Sequence, residues 1–412
     1  MKLFSLLIVT FLTYQIVLPQ PKNVYVSSGA GLGGNGAFNN PFKTINQGLS
    51  SALFGDTVHV MEGNYYENIK MVKGISLIGD GPDKCIINDS LPELKAADSC
   101  IIKGFTFNQT ITCVGVSPEI IDNIIHTAVG YLPGIRIMSN SSPVVLKNYI
   151  TGGEVGITLQ SGCNPLIANN IISAALMGIQ SSMHCKSQII NNVIIAAKGS
   201  VVNLMFSDST IIENNILSGS PNDSVKGILV SNSTGVVISY NDFWNTIETS
   251  PDSSGNMSVD PLFINYDSFD YHYSSGSPCI NAGNPNSIYN NRDGSRNDLG
   301  IYGGPYGSFD IITTGIKNKT ENIRPKDFVL EQNYPNPFNP STIIQYQLPA
   351  SCKVMLKVCD ILGREIATLV SEWQTVGIKT VTFNSKNLTS GIYFYTLSTG
   401  NFTITKKMMI LK

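Results

Sequence analysis

Apolar and polar positions along the middle of the chain recur with a fixed beat. Asn148, Asn170, Asn192 and Asn214 are spaced by 22 residues, and each is followed two positions later by Ile150, Ile172, Ile194 or Ile216. Two more apolar columns keep the same step: Val145, Ile167, Ile189 and Ile211, and then Ile135, Ile157, Ile179 and Val201. Gly134, Gly156 and Gly178 stand one residue before the first members of the latter. A turn column reads Pro118, Pro143, Pro165, Ser187, Ser209 and Gly235, with steps of 25, 22, 22, 22 and 26. Self-similarity at such a period is the signature of a solenoid.

Each period holds several short apolar stretches separated by Gly, Asn, Ser and Pro, which predicts three short strands per coil. Stacked coils pair every strand in parallel with its copies, about 4.8 Å away, so like side chains form ladders. An Ile inside a ladder gains roughly 1.5–3 kcal/mol by burial. The Asn column belongs at a strand-to-turn corner, where a carboxamide can donate and accept along the stacking axis.

These columns resemble the right-handed parallel β-helix of the pectin-lyase-like superfamily, over roughly residues 22 to 305. The chain is therefore expected to be all-β: a right-handed parallel β-helix followed by a small immunoglobulin-like β-sandwich. Lys2 and the apolar run Leu3 to Leu12 predict a signal peptide over residues 1–20. Residues 21–100 should form an N-terminal cap and first coils, with a strand at Asn23–Ser27 and a helix at Pro41–Leu53 covering the open end of the stack. Coils of about 22 residues fill 101–245, last coils and a closing cap fill 246–305, and 306–326 is a linker.

Residues 327–412 change to period-two alternation, in Thr342–Leu348, Lys353–Val358, Thr380–Phe383, Ile392–Leu397 and Phe402–Leu411. Short strands at this spacing predict the sandwich. The run Asn333, Tyr334, Pro335, Asn336, Pro337, Phe338, Asn339, Pro340, together with Asp360-Ile-Leu-Gly-Arg364 and Leu388 to Tyr395, resembles the C-terminal sorting domain of type IX secretion cargo. That resemblance implies the type IX machinery as a partner. It also implies a place outside a Gram-negative bacterium, released or on the cell surface.

Composition narrows the function. With a net charge of -2, 14% charged residues and no basic run in the coils, the chain does not suit nucleic acid. No stretch after the signal has the 18 or more apolar residues of a membrane span. Gly29, Gly31 and Gly34 match a dinucleotide fingerprint only in spacing, because the expected helix starts too late to meet a phosphate. Cys163 and Cys185 are one period apart and therefore side by side, as a thiol stack or a disulfide.

The four histidines, His59, His126, His184 and His272, show no metal-ligand spacing. In the column Asp122, Lys147, Asn169, Asn191 and Glu213 the two acids are four coils apart, and Asp122 is expected to pair with Lys147. Glycoside hydrolysis needs two carboxyl groups in one cleft, and β-elimination needs a cation and a base; neither set gathers. Arg136 is the candidate for catalysis, pointing outward between Ile135 and Ile137. Arg136 also heads a candidate binding strip with Thr158, Gln180 and Val202 in its column and Gln160 and Ser182 two residues on. His126 and Tyr131 join it from the inserted loop 126–133, and a second insertion, Gly219 to Lys226, falls at the same corner. The expectation is a carbohydrate-contacting surface protein with no cofactor. A polysaccharide lyase or glycoside hydrolase using Arg136 with groups from the 126–133 loop, with calcium in the lyase case, and a purely structural or adhesive protein are the alternatives.

Overall fold

The computed structural model describes residues 22–307 apart from 89–92, 128–129, 221–223, 248–254 and 267–269, and residues 328–411 apart from 331, 334–335, 349–351, 375–376, 387 and 401. The expected signal peptide, most of the expected linker, Tyr334 and Pro335 lie outside the described residues. The chain divides into two units, Met1–Thr314 and Gly315–Lys412.

The first unit is a parallel β-helix. Its described strands form sheets of ten, nine and seven, with successive members contributed by successive coils. One coil is Val144–Leu146 in the first sheet, Tyr149–Gly152 in the second and Val155–Gln160 in the third. Its neighbours are in register: Val145 pairs with Ile167, Ile150 with Ile172 and Ile157 with Ile179. All six of these side chains are fully buried. The Gly column is required by close approach, since a Cβ on Gly156 would lie 2.3 Å from the Ile172 Cγ2.

The Asn ladder runs further than the repeat indicated and changes register. Asn123, Asn148, Asn170, Asn192, Asn215, Asn241 and Asn256 are linked, each Nδ2 donating to the next Oδ1 at 2.9–3.3 Å. The expected member Asn214 is displaced by Asn215. An extra residue enters the turn before Ser200, where Gly199 takes φ +71°, so Met177 pairs with Ser200 and Ile179 with Val202 instead of Val201. Every expected column member beyond that turn shifts by one: Ile212 replaces Ile211 in the interior and Leu217 replaces Ile216. A one-residue slip turns each side chain to the opposite face.

The N-terminal cap helix is shorter than expected, Ile45–Ser51, with a Thr44/Gln47 capping box. Pro41 and Phe42 are drawn out of it because Phe42 bridges Val26 on the first strand. Ile45 and Leu49 are buried against the first coil.

The segment expected to close the far end mainly packs along the side. Residues 255–257 extend the stack, with the Asn256 Oδ1 ending the ladder and Met257 bridging Asp242. The chain then runs back over the outer face of the second sheet, where Tyr271, Cys279, Leu299 and Ile301 bury Ile124, Tyr149, Ile171, Val193 and Ile216 in a second core. Three left-handed Asn residues at the adjoining corner hold it: Asn169 Nδ2 donates to the Ile301 and Gly303 carbonyls at 2.9 Å, Asn191 Nδ2 to the Asp298 carbonyl at 2.8 Å, and Asn214 Oδ1 accepts the Asn284 N–H at 2.7 Å.

The second unit pairs a three-stranded antiparallel sheet with a four-stranded one around its own core. All five expected strands are present. Glu365–Gln374 is an additional edge strand.

Candidate functional site

The outer face of the third sheet carries the candidate strip. Arg136 pairs with Thr158, Thr158 with Gln180, and Gln180 with Asn203. The expected Val202 is replaced there by Asn203, again through the slipped register. Gln160 and Ser182 lie two residues further along the same strands. Thr158 and Ser182 are buried, whereas Gln160, Gln180 and Asn203 are half-buried.

Arg136 is engaged by the protein itself. Its Nη1 lies 2.5 Å from Glu93 Oε1, with both side chains about one-quarter exposed. Glu93 belongs to the strand Glu93–Lys95, two strands away across Thr110–Val114. Between them Thr112 is buried, and its Oγ1 has no hydrogen-bond partner within the chain. At this end of the sheet the Pro133 carbonyl accepts from Thr110 Oγ1 at 2.7 Å. Glu93 was missed in the sequence because it stands before the registered coils.

The remaining candidates do not join this strip. His126 sits on the second sheet, around the corner, with its Nδ1 2.6 Å from Thr151 Oγ1 and its ring edge-on to Tyr149. Burial pushes its pKa down, which favours the neutral ring. Tyr131 is 85% exposed at the corner loop, part of which lies outside the described residues. Glu213 is turned under the lateral segment, accepting from Ser239 Oγ at 2.6 Å. Asp122 pairs with Lys103 at 3.1 Å. Among the described residues no three His, Cys, Asp or Glu side chains come together, which does not fit the oxygen-rich cage that calcium takes.

Beyond one edge of the strip stands a ridge that sequence reasoning passed over. Met183 and Phe206 are 56% and 47% exposed and hold φ of +59° and +52°, with Met205 exposed beside them. In the same turn column the other coils place Ser139, Ser161 and Asn232. Small polar residues tolerate the left-handed region, whereas a bulky one is strained there. The available signal was a Met and a Phe in a column of turn residues.

The second unit folds around the Asn333 to Pro340 run. Asn333 is buried, its N–H donating to Tyr395 Oη at 2.7 Å and its Nδ2 to Thr342 Oγ1 at 2.9 Å. Asn336 Oδ1 accepts the Met409 N–H at 2.8 Å, and Phe338, also buried, bridges Ile410. The run thus fastens the last strand, Phe402–Ile410, into the sandwich. Asp360 closes the 360–364 turn, accepting the Leu362 and Arg364 N–H groups at 2.9 Å and Arg364 Nε at 2.7 Å.

Residues 93–243 match the family described as right handed beta helix region, and residues 332–411 match the secretion system C-terminal sorting domain. The chain carries a right-handed β-helix region and a C-terminal sorting domain. The sorting domain marks this β-helix protein for type IX secretion to the cell surface or the medium. Among solved structures it is similar to pectate lyase Pel9A, at 12% identity and a TM-score of 0.40, covering 69% of this chain and 97% of that one. It is similar also to XylC in complex with xylose, at 10% identity and a TM-score of 0.37, covering 87% and 100%. No curated protein matches the β-helix protein.

Proposed function

We propose that the outer face of the third sheet holds an extended polysaccharide without cleaving it, on a protein displayed or released outside a Gram-negative cell. The strip Thr158, Gln160, Gln180, Ser182 and Asn203 carries this reading: it is uncharged, rigid and repeated coil by coil. Along the stacking axis Gln180 and Asn203 follow one another at a step of about 4.8 Å, with Gln160 on the neighbouring coil two residues further along the same face. The Met183, Met205 and Phe206 ridge adds apolar surface for the faces of sugar rings. Arg136 contributes little positive charge, because Glu93 neutralises it.

A second reading is favoured by one observation, the contact of a carboxylate and a guanidinium beside the unpartnered Thr112 hydroxyl. In that reading the pair would be the acid–base machinery of a lyase or hydrolase. Incubation with a panel of neutral and acidic polysaccharides, following new reducing ends and the ultraviolet absorbance of unsaturated products, separates the two. Binding without turnover supports the first reading. Turnover that is lost in both Arg136→Ala and Glu93→Gln supports the second. A purely structural or adhesive protein would retain none of the glycans.

A further inference from the structure

Six of the eight cysteines lie in the β-helix unit, and all six are buried. Cys85, Cys100 and Cys279 donate from Sγ to Val60 O, Ala97 O and Asp242 Oδ2. Cys163 and Cys185 differ from these in occupying one column on consecutive coils. The residue after each Cys continues a strict ladder: Asn164 N–H donates to the Ser141 carbonyl at 3.0 Å, Lys186 N–H to the Cys163 carbonyl at 2.7 Å, and Asp208 N–H to the Cys185 carbonyl at 3.1 Å. Both thiols also reach the carbonyl three residues back, Gln160 O at 2.9 Å and Ser182 O at 3.0 Å, and both residues have no exposure. Parallel neighbours stand about 4.8 Å apart, inside the window of roughly 4.4–6.8 Å between Cα atoms that a disulfide spans.

We propose that in the exported protein Cys163 and Cys185 are joined by a disulfide that staples two consecutive coils. The sorting domain sends this chain out of the reducing cytosol, into a compartment where such bonds form and persist. In the finished fold the Cys163 thiol faces the Cys185 sulfur, which lowers the Cys185 pKa and raises that of Cys163. Before the coils close neither thiol is buried and either can attack first. With Cys185 as the first nucleophile, its thiolate attacks one sulfur of an oxidised dithiol carrier of the extracytoplasmic space, giving a mixed disulfide and one carrier thiolate. Cys163 then gives up its proton and attacks the Cys185 sulfur, closing the bond and releasing the second carrier thiolate. Two cysteine thiols are oxidised, the carrier disulfide becomes a dithiol, and the two protons pass to the carrier. Because both sulfurs are sealed in the finished coils, the exchange precedes their closure.

The staple would lie in the turn just beyond the strip's strands. Cys163 is three residues beyond Gln160 and Cys185 three beyond Ser182, so the bond would fix the turns that follow two strip residues. It would form whether or not that face binds glycan.

The test uses full-length protein recovered from outside the cell, denatured without reductant, alkylated with N-ethylmaleimide and digested with trypsin. Residues 148–186 contain no Lys or Arg before Lys186, so one peptide holds both cysteines. The expected peptide is two hydrogens lighter than the reduced form and takes up no maleimide until it is reduced. Maleimide on both residues overturns the proposal. Reductant should lower the Tm of the β-helix transition by on the order of 10 °C. Cys163→Ser, Cys185→Ser and the double variant should all match the reduced protein and ignore reductant; Ser already occupies this column at Ser141. A double variant that is as stable as the oxidised wild type would overturn the staple, and the peptide masses decide the matter if the variants do not fold.

Discussion

Removing one rung of the Asn ladder should be among the most damaging small changes in this protein. The Asn170 side chain makes five hydrogen bonds: Nδ2 donates to Asn192 Oδ1, Val145 O and Ala168 O at 3.0, 2.9 and 2.9 Å, and Oδ1 accepts the Asn148 N–H and Nδ2 at 2.8 and 3.0 Å. Several partners keep another bond after Asn170→Ala. Ala168 O retains the Lys147 N–H and Asn148 Nδ2 retains Ile120 O. The Asn148 N–H loses its acceptor inside a fully buried corner. An orphaned buried donor costs roughly 1–3 kcal/mol and each weakened bond about 1 kcal/mol more, so the expected loss is about 3–4 kcal/mol. Asn170→Asp should be worse at pH 7, since a carboxylate oxygen would then face three acceptors. Urea unfolding followed by circular dichroism measures both, with the exposed Asn164→Ala as a control expected within about 0.5 kcal/mol of wild type. An Asn170→Ala loss below about 1 kcal/mol, or an Asp variant no worse than Ala, would refute the ladder as a source of stability.

Three further outcomes are expected. Asp242 has no exposure, accepts the Val259 N–H at 3.0 Å, and is raised from 3.8 to about 6, chiefly by burial. Its folded value lies above its unfolded one, so its contribution to stability is present below about pH 4 and is lost as pH rises through about 6. Asp242→Asn should leave stability at low pH unchanged and raise it at about pH 8 by up to roughly 3 kcal/mol, and a pH series of thermal unfolding that stays parallel to wild type would contradict this. Phe206→Asn should relieve left-handed strain and stabilise by about 1 kcal/mol while weakening glycan retention; destabilisation with unchanged retention would remove the ridge from the site. Deletion of residues 327–412 should leave the protein in the periplasm, as immunoblotting of cell fractions would reveal, and normal appearance outside would refute the sorting assignment.

The fold was legible because each coil repeats the same solution, so even a weak pattern is read many times over. The register was less so. Adjacent Asn residues at 169–170, 191–192 and 214–215 make a one-residue slip invisible at the sequence level. Gly199, whose left-handed turn absorbs the extra residue, was the one cue. The lateral path of the 281–304 segment depends on outward amides of left-handed Asn residues, and nothing in that segment names its docking surface. The strand Glu365–Gln374 escaped because it lies at a sheet edge with only Val370 buried. Irregularities in its pairing with Cys352–Cys359 also break the alternation. At the candidate site, strand alternation placed Arg136 outward. Its partner Glu93 could not be found because a contact across two coils has no signature in local spacing.

Affinity electrophoresis of the full-length protein through gels containing single polysaccharides tests the proposed function most directly. Wild type should be retarded by at least one glycan, with no new reducing ends, and Gln160→Ala/Gln180→Ala should migrate as though that glycan were absent while unfolding at the wild-type temperature. Equal retardation of the two proteins, or retardation accompanied by turnover, would contradict a non-cleaving glycan contact on the third sheet.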